Sequence, residues 1–105
     1  MNRWLPRVMA RIRELAAARR LLVTDKARRE IARLDLGLDR EDVCELIAAL
    51  GRADFSARVM SRSSGEWMYV FKPQVAGITL YVKLILRASC VVVSFHEDQV
   101  DPANH

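Results

Sequence analysis

Apolar residues change rhythm once along this chain, at Phe55, and that change restricts the fold more than any other feature. Before it they recur at spacings of three and four; after it they alternate with other residues. The first spacing gives a helix one buried stripe, and the second gives a strand one buried face. Helices followed by a run of strands predict an α+β domain, with N-terminal helices packed on one face of a mostly antiparallel, roughly four-stranded sheet. The other sheet face is then free for a ligand.

In the helical half, Leu5, Val8, Met9, Ile12, Leu15 and Ala16 form one stripe, and Pro6 suits the first turn. Arg3, Arg7 and Arg11 recur on another side as a basic ridge. "RLLVT" is a short β-prone break, after which Thr24 and Asp25 begin a second helix that turns Ala27, Ile31 and Leu34 inward. "LGLD" ends that helix, with Gly37 able to take the left-handed conformation there. Asp39 and Asp42 stand as a capping box for a third helix, whose stripe is Val43, Leu46, Ile47 and Leu50.

The alternating half predicts strands over Ser56 to Ser61, over "EWMYVFK" up to Pro73, over Thr79 to Leu86 and over Cys90 to His96. "SRSSG", "QVAG" and "RAS" connect them. A chain of 105 residues has room for one core, expected over residues 1–98, with 99–105 as a flexible tail.

Alternation sorts the strand side chains into two sets. Tyr81, Lys83, Ile85 and Arg87 oppose Leu80, Val82, Leu84 and Leu86; Val92, Ser94 and His96 oppose Val91, Val93 and Phe95; Met68, Val70 and Lys72 oppose Trp67, Tyr69 and Phe71. Which sets share a face depends on pairing register, and period alone leaves that open. If Ser94 and His96 join Tyr81 and Lys83, one surface holds a phenol, an ammonium and an imidazole.

Such a surface suits RNA cleavage by attack of a ribose 2′-hydroxyl on its own phosphate. A base must take the hydroxyl proton, an acid must protonate the departing 5′-oxygen, and cations must offset charge on phosphorus. Histidine, which ordinarily changes charge near neutral pH, suits either proton role, and His96 is the candidate. Lys83, Arg58 and Arg87 are candidate phosphate anchors, with Lys72 beside them in substrate binding; Tyr81 and Tyr69 could stack a base or offer a hydroxyl. Each residue also has a plainer reading: a surface histidine beside "ED", a half-buried sheet tyrosine, a solvated strand lysine.

A formal net charge of +4 and a pI of about 9.6 point to an anionic partner, either nucleic acid or an acidic protein. Cys44 and Cys90 stand alone, without CxxC spacing, and read as reduced core thiols. Neither a metal nor any other cofactor is expected. No apolar run approaches the roughly 18 residues of a membrane span. The arginine-studded start lacks the apolar core of a secretory signal, so a cytoplasmic protein without membrane contact is expected.

Five short stretches, in order, resemble one family. "LGLD" at 36–39, "DF" at 54–55, "W-x-x-V-F-K-P" at 67–73, "YVK" at 81–83 and "VVVSFHED" at 91–98 are together similar to the MqsR toxins of bacterial type II toxin–antitoxin systems. The resemblance implies a RelE-like fold, metal-independent endoribonuclease activity on messenger RNA, growth arrest, and neutralisation by a cognate antitoxin. It makes Tyr81 the counterpart of the family's active-site tyrosine and sets His96 where the family has an active-site lysine. Arg58, the nearest cation to an active-site lysine of the family that follows "DF", is taken with Tyr81 and His96 as a catalytic candidate, and Met68 replaces a family glutamine. The alternative is a non-catalytic module of the same fold that binds nucleic acid or a protein partner.

Overall fold

The computed structural model describes residues 3–99. Of the tail expected at 99–105, all but Gln99 lies outside the described residues. The element order is α1 (Leu5–Ala17), β1 (Leu21–Val23), α2 (Asp25–Leu34), α3 (Arg40–Ala48), a 3₁₀ turn (Arg52–Asp54), β2 (Phe55–Met60), β3 (Trp67–Phe71), β4 (Gln74–Val75), β5 (Ile78–Leu86) and β6 (Cys90–Glu97).

Local chemistry explains where the helices begin. Pro6 sits in the first turn of α1, where its missing N–H breaks no helical bond. The Thr24 hydroxyl accepts from the Ala27 N–H at 3.1 Å to start α2. Asp39 and Asp42 exchange side-chain and backbone bonds of 2.8 and 3.0 Å at the start of α3, the reciprocal cap their spacing predicts. Asp35 stops α2 in a left-handed conformation, φ 54°.

Six strands form in place of the roughly four expected, in the order β1-β6-β5-β3-β2 with β4 paired to β5. The two additions are the segments read as a break and a turn. Leu21–Val23 lies parallel to β6, and three residues are too few for alternation to register. Gln74 and Val75 fold back on Ile78 and Thr79 through Ala76 and Gly77, both at positive φ (53° and 80°); that pattern matches the right-handed twist of a tight hairpin. All other pairings are antiparallel, so the sheet is mixed. The α+β arrangement, with helices against the sheet, agrees with the RelE-like expectation.

The main core lies between the helices and one sheet face. Ile12 and Leu15 of α1 and Ile47 of α3 cluster with Phe71, Leu80, Val82, Leu84, Val92 and Phe95, all essentially inaccessible. Each such side chain contributes about 1.5–3 kcal/mol relative to exposure. Val70, Ile85 and Val91 are also buried but stand outside this cluster, under the opposite face. Among the described residues no helix is long and apolar enough to cross a membrane.

One irregularity decides what that opposite face carries. Pairing of β5 with β6 runs Leu86–Cys90, Ile85–Val91, Leu84–Val92 and then skips to Lys83–Ser94 and Tyr81–His96. Val93 is the extra residue of a β-bulge, and a bulge inverts the parity of everything beyond it. Val92 therefore faces the helices, whereas Ser94 and His96 face away, which corrects the expectation that the three share a side. Val92 and Phe95, three residues apart, are both completely buried; a regular strand cannot place such a pair on one face.

Candidate functional site

On the helix-free face, Tyr81 and His96 are cross-strand partners. Their rings stack, with centroids 4.9 Å apart and planes 10° from parallel. The same register sets Lys83 between Val70 and Ser94, and its Nζ stands 5.9 Å from the Tyr81 ring centroid. Lys83 makes no ion pair among the described residues. The His96 Nδ1 lies 2.8 Å from the Glu97 carbonyl oxygen. Because a carbonyl can only accept, Nδ1 is the donor and the neutral ring's lone pair falls on Nε2. Phenol, ammonium and imidazole thus meet on one half-buried surface.

Other residues expected at this site lie elsewhere. Arg58 pairs with Tyr69 in the β2–β3 register, which puts it on the helix-facing side. There its guanidinium is sandwiched between the rings of Trp4 and Trp67, 4.0 and 3.8 Å from their centroids. This cation–π stack is a structural use of its charge, and the sheet separates it from His96. Tyr69 lies on that same side, only 8% exposed, with its ring 5.8 Å from Trp4. It offers neither face nor hydroxyl to a ligand beside Tyr81.

Arg87 and Lys72 are at the margins and already partnered. Arg87 donates from Nε and Nη2 to the two oxygens of Glu66 at 2.8 and 2.6 Å. Those bonds, with help from Ser64, hold the Glu66 carboxyl down at about 2. Lys72, just past β3, reaches Asp98 beyond β6 at 3.4 Å, so the pair spans β5. Of the expected phosphate anchors, Lys83 is the one found beside the stacked rings without an ion-pair partner among the described residues. Met68 pairs with Ile85 on the helix-free face, two positions from Val70.

Sequence reasoning missed the contribution of α2. β1 ends at Val23, opposite Val92, and α2 covers the β6 edge that continues past it. The Phe95 N–H donates to Glu30 Oε1 at 3.0 Å, and Glu30 Oε2 meets Lys26 Nζ at 3.2 Å. Lys26 Nζ in turn donates to Ser94 Oγ at 2.9 Å. Partial burial works against the Glu30 charge, but the Phe95 N–H and Lys26 outweigh it, so the carboxyl titrates below its ordinary value. The signal was present as Glu30 four residues after Lys26, within a segment that otherwise reads as a solvated basic face. Next to this edge, Leu34, Leu36 and Ile78 floor an open groove of about 590 Å³ that His96, Glu30 and Arg33 border.

Both cysteines are free and completely buried, Cys44 on α3 and Cys90 at the start of β6. Burial, and to a smaller extent the neighbouring Cys44, pushes the Cys90 thiol up to about 12. Among the described residues, no three His, Cys, Asp or Glu side chains gather where they could hold a metal ion.

A protein-family model described as "Motility quorum-sensing regulator, toxin of MqsA" matches residues 7–97, nearly the whole described chain. No curated protein matches the chain.

Proposed function

Because the chain belongs to the MqsR toxin family, we propose that it is an endoribonuclease toxin that cuts messenger RNA without a metal ion and is neutralised by a cognate antitoxin. The observation that carries this reading is the stacked Tyr81–His96 pair with Lys83 beside it. A base, an acid and a cation lie within one nucleotide's reach of each other on a surface that the helices leave open.

In the reaction, the ribose O2′ attacks the adjacent phosphorus while His96 Nε2 takes its proton. The O2′–P bond forms as P–O5′ breaks, and the Tyr81 hydroxyl gives its proton to the departing O5′. Products are a 2′,3′-cyclic phosphate and a 5′-hydroxyl. The imidazolium then returns its proton to the phenolate through water, which resets both groups. Lys83 offsets the charge that builds on the non-bridging oxygens, a contribution strengthened where the sheet excludes solvent. The flat faces of the two rings also offer a platform for a base, since stacking tolerates any sequence. The net positive charge of +4 favours an RNA substrate and an acidic antitoxin surface alike.

The test is incubation of the purified protein with a mixed-sequence RNA in EDTA, followed by mapping of the new ends. Expected are 2′,3′-cyclic phosphates from the wild type and a loss of about 10²- to 10⁴-fold in His96→Ala. An intact but gel-retarded RNA would replace the enzyme by a binding module, and equal cleavage by both proteins would remove His96 from the chemistry.

A further inference from the structure

We propose that Glu30 and Lys26 are positioning residues for His96, clamping the Val93 bulge that turns the imidazole toward Tyr81. The inference builds on the reading of His96 as the proton-transfer group. It concerns α2 residues whose bonds go to the Phe95 backbone and the Ser94 side chain, next to His96 in β6.

The register shows what the bulge accomplishes. Were the Leu84–Val92 pairing continued without it, Val93 would oppose Lys83, Phe95 would oppose Tyr81, and His96 would fall opposite Leu80 on the helix side. Burial of Phe95, which is completely inaccessible, selects the bulged register. Burial alone does not hold the backbone at 94–96, because β1 has ended and, among the described residues, no strand bonds the outer edge of β6 there.

Side chains of α2 take that strand's place. Glu30 Oε1 accepts the Phe95 N–H at 3.0 Å, one residue before His96. Lys26 Nζ ties Ser94 Oγ (2.9 Å) to Glu30 Oε2 (3.2 Å) and also approaches the Val93 carbonyl of the bulge at 3.5 Å. Thr24 Oγ1 reaches that same carbonyl at 3.5 Å. The Glu30 side chain is only 13% exposed, so water has limited access to replace it. Every residue from the bulge to Phe95 is thus tied to one turn and a half of α2, and His96 is the next residue along. Without the carboxylate, Phe95 keeps its pocket while the 94–97 backbone loses its anchor. Displacements of about 1 Å at a reacting group can cost 10²-fold in rate.

The experiment compares Glu30→Leu, Glu30→Gln and Lys26→Met by two readouts: steady-state RNA cleavage, and the NMR resonances of the His96 ring protons, which the stacked Tyr81 ring shifts. Glu30→Leu is expected to lower kcat about 10²-fold with KM changed less than about threefold. It should also move the His96 resonances toward those of free histidine. Glu30→Gln retains an acceptor for the Phe95 N–H and should restore most of both signals. A folded Glu30→Leu protein with wild-type His96 resonances overturns the clamp, whatever its activity. If Glu30→Leu does not fold, Lys26→Met decides: a shift of the resonances with a kcat fall of about tenfold supports the clamp, and no shift overturns it. A wild-type protein that fails to cleave RNA would end the catalytic reading and with it the positioning role, while the resonances would still report whether Glu30 orders the ring.

Discussion

His96 lies flat against Tyr81 across the β5–β6 ladder, the two rings 4.9 Å apart and 10° from parallel. This contact separates two roles for the tyrosine, because its ring stacks while its hydroxyl is left to act. Tyr81→Phe keeps the stack and should lower kcat about 10²-fold with little change in KM, whereas Tyr81→Ala should also disturb His96 and lose more. Cleavage kinetics on a short fluorescent RNA check this; full activity in Tyr81→Phe would reduce the residue to a stacking platform.

Arg58 and Lys83, both cations on strands, should respond in opposite ways. Arg58 lies between Trp4 and Trp67 on the helix side, so Arg58→Met should cost about 0.5–2 kcal/mol of stability and leave cleavage intact. Lys83→Met should leave stability within about 0.5 kcal/mol and lower kcat by about 10²-fold or more. Urea unfolding and cleavage assays on the two variants provide the cross-check, and loss of activity in a stable Arg58→Met protein would return the arginine to the site.

The Glu66–Arg87 pair carries a pH signature. Arg87 lowers the Glu66 carboxyl from 4.5 to about 2 in the folded chain. A carboxylate whose folded value is depressed stabilises the fold above its unfolded value, and that contribution is lost as pH falls toward the folded one. The Tm difference between wild type and Glu66→Gln should therefore be steady above about pH 5 and shrink between 4.5 and about 2. The pair is solvent-exposed, so the difference is small at any pH and smaller in salt.

Thiol chemistry reads out the core. Cys90, with its thiol pushed up to about 12, and Cys44 are completely buried. Ellman's reagent at pH 8 should find neither thiol in the folded protein and both in denaturant. Rapid labelling of Cys90 under native conditions would mean that the start of β6 opens on its own.

Much of the fold was legible because local chemistry carries it. The helix caps at Thr24 and Asp39, the apolar stripes of α1 and α3, and the alternation along β5 each depend on residues a few positions apart. Short pairings such as Leu21–Val23 with β6 were not legible, since three residues carry no period and a parallel partner lies about seventy positions away. Arg58 was assigned to the site because it is a cation near "DF". Only the register opposite Tyr69 puts it behind the sheet.

By itself the sequence determined the three helices and the four longer strands, the excess of positive charge, and the order of short motifs that marks the family. Tertiary structure decided which side chains meet. Parity along a strand is relative, and one inserted residue, Val93, reverses it for all that follow. Nothing in "VVVSFH" marks where that reversal falls. It is settled by burying both Val92 and Phe95 against helices more than forty residues earlier in the chain, and by the α2 side chains that bond the exposed edge. That is why His96 opposes Tyr81 while Arg58, an equally plausible cation in one dimension, lies on the other side of the sheet.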